Sequence, residues 1–265
     1  MEGRWQIRHR RLRIVLLLSF VAAFHSVFGQ QAATPKLDEI LVRLEGNLDR
    51  YDKQVPNFFC SEHVVSSLIY GTKHQSTVTD SVFRTARTQS GALTESREIK
   101  AVNGTPAAGE QIGGPVTLGG VFSGGLDAVS LRQKACMSYT LLPNLPGHSD
   151  EPYVIQFSTL PNRERGAGCV LKEEGTGRVF VDPTTMQVAR MELTAPHHAI
   201  SPGEVGAWKI SINYAPVSFV GQIFWMPTTI TSTATPSDTS TVYSFSARYS
   251  DYHKLEVSSH IVSPQ

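Results

Sequence analysis

The chain has 265 residues, of which 40% are hydrophobic, and it carries 24 Lys and Arg against 23 Asp and Glu. Because five Arg and one Glu fall within the first 29 residues, the remainder carries 19 basic and 22 acidic side chains, a net charge of −3. That balance, with no basic stripe, argues against nucleic acid and against an anionic membrane surface as partners. The length allows one large domain, or at most two small ones, with a proper core.

The first 29 residues have the layout of a secretory signal peptide. Arginines precede an apolar run at 14–28, and a small residue, Gly29, stands before the expected cleavage site. A run of 15 residues is shorter than the ~20 that cross the hydrocarbon core, which favours cleavage over an N-terminal membrane anchor. We therefore expect a periplasmic or secreted protein, with a linker at 30–35 and a single domain at 36–262. Its only membrane contact would be through the signal peptide, before cleavage.

The domain begins with a helical pattern. Thr34–Pro35 offers an N-cap and a proline at the first helical position, and Asp38 and Glu39 fall in the first turn, where the helix dipole favours acidic groups. Apolar residues then recur on one side, at Leu37, Ile40, Leu41, Leu44, Leu48 and Tyr51. The pattern predicts an amphipathic helix at 36–54 whose single apolar stripe lies against another element.

Downstream of the helix the residues alternate with period two. This predicts strands at 60–70, 76–88 and 93–102, the third of which ends at Asn103–Gly104, a strong type I′ hairpin signal. The glycine-rich stretch at 104–125 predicts a long loop. It has neither the Gly-Lys-Ser/Thr ending of a phosphate-binding loop nor a dinucleotide fingerprint, which argues against phosphate binding.

The rest of the chain predicts a short second helix and then an orderly series of strands. The helix is expected near Leu126 to Lys134. Strands are expected near 136–142, 152–160 and 178–182, followed by a turn at Asp182-Pro183-Thr184-Thr185, a return strand with Ala189, Met191 and Leu193 on one face, and a last strand from Tyr243 that continues through Leu255, Val257 and Ile261. Consecutive strands with short turns indicate a mainly β fold, a curved antiparallel meander that forms an unclosed barrel.

The clearest alternation places large apolar residues on one sheet face. Pro216 shifts the phase, so that Val217 and Phe219 remain on that face. A two-residue turn at Gly221–Gln222 would set Phe219 opposite Phe224 and Val217 opposite Met226. Such a surface must be covered by the helix, by the curled sheet or by a ligand. We expect it to line a concavity for an apolar ligand, with the binding residues Trp208, Ile210, Ile212, Tyr214, Phe219, Phe224, Met226, Tyr243 and Phe245.

Three cysteines are present, Cys60, Cys136 and Cys169. An odd number in an exported protein predicts one disulfide and one remaining thiol, and the sequence alone leaves three pairings open. We favour Cys136–Cys169, because both lie at or beside strands of the central region whereas Cys60 belongs to an earlier strand. Closing that loop would stabilise the fold by about 3–4 kcal/mol in the chain-entropy model.

Two clusters invite a chemical interpretation, and neither supports one. His197–His198 lies in a predicted loop without a third ligand at suitable spacing, so no metal site is expected. Cys60, Glu62 and His63 could suggest a thiol nucleophile, but on a strand Cys60 and Glu62 share one face while His63 points to the other. Serine-hydrolase and metalloprotease motifs are absent from the sequence. We therefore expect no catalytic residue and no cofactor.

Taken together, the chain resembles the LolA/LolB-like half-barrel of lipoprotein carriers. The similarity is a pattern over 36–262: an N-terminal amphipathic helix, a strand that begins near Phe58, an antiparallel meander, and the hairpin around Val181 to Thr185. The segment Pro56 to Glu62 also looks like one seen in uncharacterised exported bacterial proteins. The resemblance implies an unclosed barrel whose concave apolar face holds acyl chains, including those of lipoproteins, under a helical lid.

Three functions remain open at this point. The first is a non-enzymatic periplasmic or extracellular binding protein for a hydrophobic or lipid-like ligand. The second is a structural or interaction domain whose concavity is a sealed core beneath the helix. The third is a hydrolase with a dispersed active site that joins His63, His74 or His253 to an acidic partner. An open apolar pocket, a filled core or a convergent catalytic cluster would separate them.

Overall fold

A computed structural model describes residues 35–89, 91–143, 151–161, 168–237 and 239–256. The signal peptide predicted at the N-terminus lies outside these residues. The described elements are α1 (Leu37–Gln54), β1 (Phe58–Tyr70), β2 (Lys73–Arg87), β3 (Leu93–Val102), β4 (Thr105–Pro106), a helical turn α2 (Val121–Gly124), two 3-10 turns (Gly125–Val129 and Leu131–Gln133), β5 (Met137–Leu141), β6 (Tyr153–Thr159), β7 (Thr176–Val181), β8 (Val188–Ser201), β9 (Glu204–Phe219), β10 (Gln222–Pro236) and β11 (Val242–Lys254).

Eleven strands form one antiparallel sheet in the order β4-β3-β2-β1-β11-β10-β9-β8-β7-β6-β5. The two outermost strands, β4 and β5, are not paired with each other, so the sheet does not close into a barrel. This confirms the predicted fold class. The first long strand, β1, pairs with the last, β11, so two runs of sequential hairpins meet in the middle of the sheet.

Helix α1 matches the predicted span and buries the predicted stripe. Ile40, Leu41, Leu44, Leu48 and Tyr51 are buried. The capping differs from the expectation, because the helix begins at Leu37 with Lys36 as its N-cap and Pro35 just before it. The backbone N–H of Lys36 donates to Glu39 Oε2 at 3.2 Å, which satisfies one N-terminal donor group.

The early strands lie where the alternation predicts them, and the Asn103–Gly104 turn is confirmed. Both residues have positive φ, 49° and 75°, as a type I′ turn requires. The short helix expected near Leu126 to Lys134 is instead two 3-10 turns. Ser130 between them is extended and accepts a hydrogen bond from the N–H of Arg132, so it interrupts one turn and caps the next.

The central hairpin after β7 is built on Asp182. Its Oδ1 accepts from the N–H groups of Thr184 (3.1 Å) and Thr185 (2.7 Å) and from the Thr185 hydroxyl (2.7 Å). On the return strand, Phe180 pairs with Arg190 but Val181 with Val188, so Ala189 is bulged. Ala189 therefore does not join Met191 and Leu193 on the buried face as predicted, and Val188 takes that place.

The predicted disulfide is confirmed: Cys136 and Cys169 are bonded, with their Cα atoms 5.7 Å apart, and Cys60 is free and buried. The last strand is shorter than expected. It ends at Lys254, and Leu255 follows outside the sheet, while Val257 and Ile261 lie beyond the described residues. Within the described ranges, no helix is long and apolar enough to cross a membrane.

Candidate binding face

The residues predicted to bind an apolar ligand lie on strands β9, β10 and β11. We call the sheet face covered by α1 the inner face. Residues paired across neighbouring strands point to the same face, so the strand register places this set on one side of the sheet. Trp208, Ala234 and Tyr243 form one cross-strand row, and Ile210, Ser232 and Phe245 form the next. Seven of the nine are at most 6% exposed, namely Ile210, Ile212, Tyr214, Phe219, Phe224, Met226 and Phe245. Trp208 and Tyr243 are half-buried.

The hairpin that joins β9 and β10 turns one residue earlier than predicted. Val220 and Gly221 both have positive φ, 49° and 80°, and Phe219 pairs with Gln222. The turn expected at Gly221–Gln222 is therefore wrong. So are the expected pairs, because Phe224 lies opposite Val217 and Met226 opposite Ala215. A β-branched valine in the left-handed region is unusual, which is why the sequence did not indicate this turn.

The phase shift at the end of β9 is confirmed by burial. Gly206, Ile210, Ile212 and Tyr214 are buried, whereas beyond Pro216 the half-buried Val217 and the buried Phe219 are odd-numbered. The change coincides with an irregularity in the neighbouring strand, where Pro227 pairs with Tyr214 and Thr229 with Asn213. Phe219 and Phe224 still contact each other diagonally, with ring centroids 6.1 Å apart.

Helix α1 lies over this apolar surface and is held by a few polar contacts. Asn47 Nδ2 donates to the backbone carbonyl of Met186 at 2.6 Å. Glu45 accepts from the backbone N–H of Leu131 at 2.8 Å and from the Ser130 hydroxyl at 3.3 Å. These contacts link the middle of α1 to the hairpin before β8 and to the 3-10 turns.

Little space is left beneath the helix. A cavity of about 20 Å³ lies between α1 and β10, beside Leu48, Tyr51, Leu126 and Phe224. That volume is enough for about one water molecule. Gly125 approaches the sheet closely, since a Cβ there would lie 2.6 Å from Ile212 Cδ1 and 3.0 Å from the Tyr214 hydroxyl. Among the described residues around this cavity, an apolar ligand larger than a water molecule could reach Phe224 beneath α1 only if the helix moved.

The inner face also carries a buried ion pair that the sequence did not indicate. Glu62, which is 2% exposed, accepts from Arg97 Nε at 2.9 and 3.1 Å and from the Ser81 hydroxyl at 2.6 Å. The Arg97 guanidinium lies 4.8 Å from the centre of the Phe83 ring. Glu62 follows the same alternation along β1 as Cys60 and other buried residues, so the sequence pattern could have indicated that its carboxylate points to the inner face. Its partner comes from β3, and nothing local identifies it.

Cys60 lies beside this pair and is chemically protected. Burial, and then the charge of Glu62, raise the pKa of the Cys60 thiol, which favours the neutral form. As predicted, Cys60 and Glu62 share the inner face while His63 points to the other face, where it bonds Asp80 at 2.7 Å. The trio does not assemble a nucleophile.

The part of the glycine-rich stretch from Gly113 to Val116 lies on polar residues of the inner face. Ser66 Oγ both donates to the carbonyl and accepts from the N–H of Val116, each at 2.8 Å. The N–H of Gly113 donates to Thr79 Oγ1 at 3.2 Å. Gly114 has a φ of 106°, and a Cβ on it would lie 2.8 Å from Ser66 Cβ. Only glycine allows the loop to lie this close to β1.

The histidines named for a dispersed active site do not converge. His74 pairs with Ile69 and His253 with Phe59, positions at opposite ends of β1, which lie roughly 33 Å apart at strand geometry. His63 lies between them and faces Asp80. The His63–Asp80 pair is the combination of histidine and acid that this hypothesis requires, and within the described residues no hydrogen bond joins it to a serine, threonine or cysteine nucleophile.

His197 and His198 are in strand β8, not in the predicted loop. The Nδ1 atom of His198 bonds Glu173 at 2.6 Å, and its ring stacks on Trp208 with centroids 4.6 Å apart. Among the residues that the structure describes, no group of three His, Cys, Asp or Glu side chains could hold a metal ion.

No protein-family model matches the chain, and no curated protein matches it significantly. Solved structures do match. A LolA superfamily protein from Nitrosomonas europaea is 10% identical over 85% of this chain and 96% of its own, with a TM-score of 0.37. A DUF1329 family protein from Desulfovibrio piger is 9% identical over 83% of this chain and 94% of its own, with a TM-score of 0.39. The chain is thus similar in structure to LolA-like proteins, and at these identities and TM-scores the similarity carries no argument about its family, role or ligand.

Proposed function

We propose that the chain is an exported, non-enzymatic protein that binds a hydrophobic or lipid-like ligand on the inner face of its sheet. The observation that carries the proposal is how this face is covered. Most two-layer β domains cover an apolar sheet with a second sheet or with several helices. Here the apolar rows of β9–β11 are covered by one helix together with the 3-10 turn at Gly125, and the polar contacts of the helix include those of Asn47 and Glu45.

The ligand would replace the helix stripe. The apolar side chains of α1, from Ile40 to Tyr51, fill the concavity, so a ligand of similar apolar surface could take their place at comparable free energy, about 25 cal/mol per Å² of apolar area. The nine residues of the sheet would then line the site. Acyl chains, free or attached to a lipoprotein, have the length and apolarity that such a cleft would accept.

Export is part of the same proposal. The arginine-rich and apolar start of the chain is typical of a cleaved signal peptide. The disulfide between Cys136 and Cys169 suits an oxidising compartment, because disulfides rarely persist in the cytosol. We propose the periplasm, or the cell exterior, as the location of a mature domain that begins after the 30–35 linker.

A second candidate is favoured by one specific observation, the filled core. Most of the nine residues predicted to bind the ligand are buried, and the cavity under the helix is only about 20 Å³. The inner face could therefore be a permanent core. The chain would then be a structural or interaction domain. The two functions differ in whether α1 can leave the sheet without unfolding of the domain.

Titration with a fluorescent fatty acid, followed by the quenching of Trp208 fluorescence in a Trp225→Phe background, tests the proposal. We expect saturable binding to the wild type and weaker binding to Ile212→Asn, because a polar group would then face the acyl chain. Ser211→Asn makes the same residue at the neighbouring outward position and should leave binding unchanged. Thermal melts establish that each variant is folded.

If Ile212→Asn does not fold, Asn47→Ala replaces it as the test. Loss of the hydrogen bond to Met186 should ease the release of α1 and therefore increase the apparent affinity for the probe. Failure of the probe to bind wild type and Asn47→Ala alike, with Trp208 inaccessible to a soluble quencher, would favour the sealed core.

A further inference from the structure

The sheet face opposite α1, which we call the outer face, carries a row of hydroxyl side chains across nine strands. Each of these residues is paired with the next one on the neighbouring strand, so together they form one line across the sheet. From β2 to β5 the line is Ser76, Ser67, Ser244, Thr233, Lys209, Thr194, Thr176, Ser158 and Ser138. Eight are hydroxyl residues and one, near the centre, is a lysine.

A groove of about 330 Å³ crosses this row on strands β7 to β10. Its volume falls at the small end of the range of about 300–1,000 Å³ that ligand sites occupy. The outward-facing side chains that line it include Arg178, Glu192, Thr194, Lys209, Thr231 and Thr233. Unlike the inner face, it is open to solvent and needs no movement of the chain.

The hydroxyl groups in the groove are free to bind a ligand. Elsewhere in the row they bond each other, as Ser67 does with Ser244 at 2.6 Å and Ser138 with Ser158 at 2.8 Å. In the groove, the side chains of Thr194, Thr231 and Thr233 make no hydrogen bond within the described part of the chain. Threonine is common in strands because of its β-branched shape alone. That preference explains why threonines occur in these strands, but it does not explain why three of them lie around the positive charge of Lys209.

That charge comes from three side chains around the groove. Arg178 Nη2 lies 3.0 Å from Glu192 Oε2, and Arg190 pairs with the same carboxylate. Lys209, which is exposed, has no carboxylate partner among the described residues. Among the described residues, Arg178 and Lys209 line the groove with Glu192, and with Arg190, which pairs with Glu192 from beside the groove, three positive charges face one negative charge, an excess of +2. This excess stands out on a chain whose residues after the first 29 carry a net charge of −3.

We propose that this groove binds an anionic oligosaccharide, a chain of sugars that carries carboxylate groups. Sugar hydroxyls would exchange hydrogen bonds with Thr194, Thr231 and Thr233, each of which can donate and accept. A sugar carboxylate would accept from Lys209 and from the outer edge of the Arg178 guanidinium. The groove lies on the opposite side of the sheet from the proposed lipid site, so this inference does not depend on it.

The test is calorimetric titration of the full chain, as purified, with an oligogalacturonate of defined length. Maltohexaose serves as the neutral sugar and polyaspartate as the acidic polymer without sugar hydroxyls. We expect the oligogalacturonate to bind more tightly than either, and its affinity to fall as salt is raised. Lys209→Gln should weaken it by about threefold to tenfold.

Two further variants separate hydroxyl recognition from attraction by charge alone. The double variant Thr231→Val with Thr233→Val keeps shape and charge, and we expect it to weaken oligogalacturonate binding by about threefold to tenfold. Lys73→Gln removes an exposed lysine at the start of β2, away from the groove, and should change nothing. Thermal melts confirm that every variant is folded.

Three results would overturn the proposal. One is that no oligogalacturonate binds. Another is that polyaspartate binds as tightly and the threonine variant has no effect, which would make the groove a general anion surface. The third is that Lys73→Gln weakens binding as much as Lys209→Gln, which would place the sugar elsewhere.

Discussion

At the scale of single residues, the Glu62–Arg97 pair has the largest expected effect on stability. Arg97→Met would leave the Glu62 carboxylate, which is 2% exposed, buried beside the hydroxyl groups of Ser81 and Tyr249 but without the positive charge of Arg97. Breaking a buried pair in this way costs about 3–5 kcal/mol. Replacing both, as Glu62→Gln with Arg97→Met, removes the charge and should cost much less. Urea unfolding gives the free energy of unfolding of the two single variants and of the double variant. If the loss in the double variant equalled the sum of the two single losses, the two side chains would not be coupled as a buried ion pair.

Cys60 supplies a second prediction at this scale. Since burial and Glu62 both raise the pKa of its thiol, the reactive thiolate is scarce in the folded protein. We expect slow labelling by a thiol reagent at pH 8 and rapid labelling of one thiol per chain in denaturant without reductant. Three reactive thiols in denaturant would contradict the disulfide, and fast labelling of native protein would contradict the burial.

Single residues also show where sequence reasoning stops. Alternation alone places Glu62 on the inner face, because parity along a strand is a local property. Its partner is a different matter: Arg97 lies 35 positions away and reaches Glu62 only through the register of β1, β2 and β3. That register depends on contacts across the sheet, which no local pattern contains.

At the scale of elements, helix α1 offers a matched pair of substitutions. Leu44 is 1% exposed and Val42 is 61% exposed, two residues apart on the same helix. Leu44→Asp should unfold the domain or release the helix, since truncation of a buried leucine alone costs about 2–5 kcal/mol. Val42→Asp should change stability by no more than about 0.5 kcal/mol. Chemical unfolding compares them, and equal stability would mean that α1 is a free arm.

The hairpin after β7 predicts a pH dependence. The hydrogen bond from the N–H of Thr185, and further hydrogen bonds from this turn, hold the pKa of Asp182 below its ordinary value of 3.8. A lowered pKa gives stability that is fully present above the unfolded value and is lost as pH falls through the folded value. Wild type should therefore be more stable than Asp182→Asn at neutral pH, and the difference should shrink below about pH 4. A difference that stays constant down to pH 2 would contradict this role.

The hairpins also show which elements a sequence specifies. Asn103–Gly104 is recognisable because both residues tolerate positive φ, and the structure has that turn. The sequence does not indicate the turn at Val220–Gly221, because valine disfavours a positive φ. Glycine at the first turn position is the expected arrangement, and it predicts a pairing of β9 with β10 that is two residues out of register with the observed one. The predicted sheet face of each side chain is still correct, because a register shift of two residues leaves every side chain on the same face.

At the scale of the whole molecule, the sheet separates two chemistries. Its inner face combines apolar rows with a buried ion pair beneath α1 and the glycine-rich stretch, and its outer face carries the hydroxyl row and the basic groove. The division follows from period-two alternation and was predictable strand by strand. The pairing of β1 with β11 was not, because it joins segments nearly 200 residues apart whose patterns would suit other neighbours equally well.

If an apolar ligand occupies the inner face by displacing α1, amide hydrogen exchange with and without a saturating fatty acid should show it. We expect the amides of Leu37–Gln54 to exchange faster in the bound protein, because the helix has left the sheet, while those of β9 and β10 remain protected. Stoichiometric binding with unchanged or greater protection of α1 would contradict it, since the ligand would then lie elsewhere.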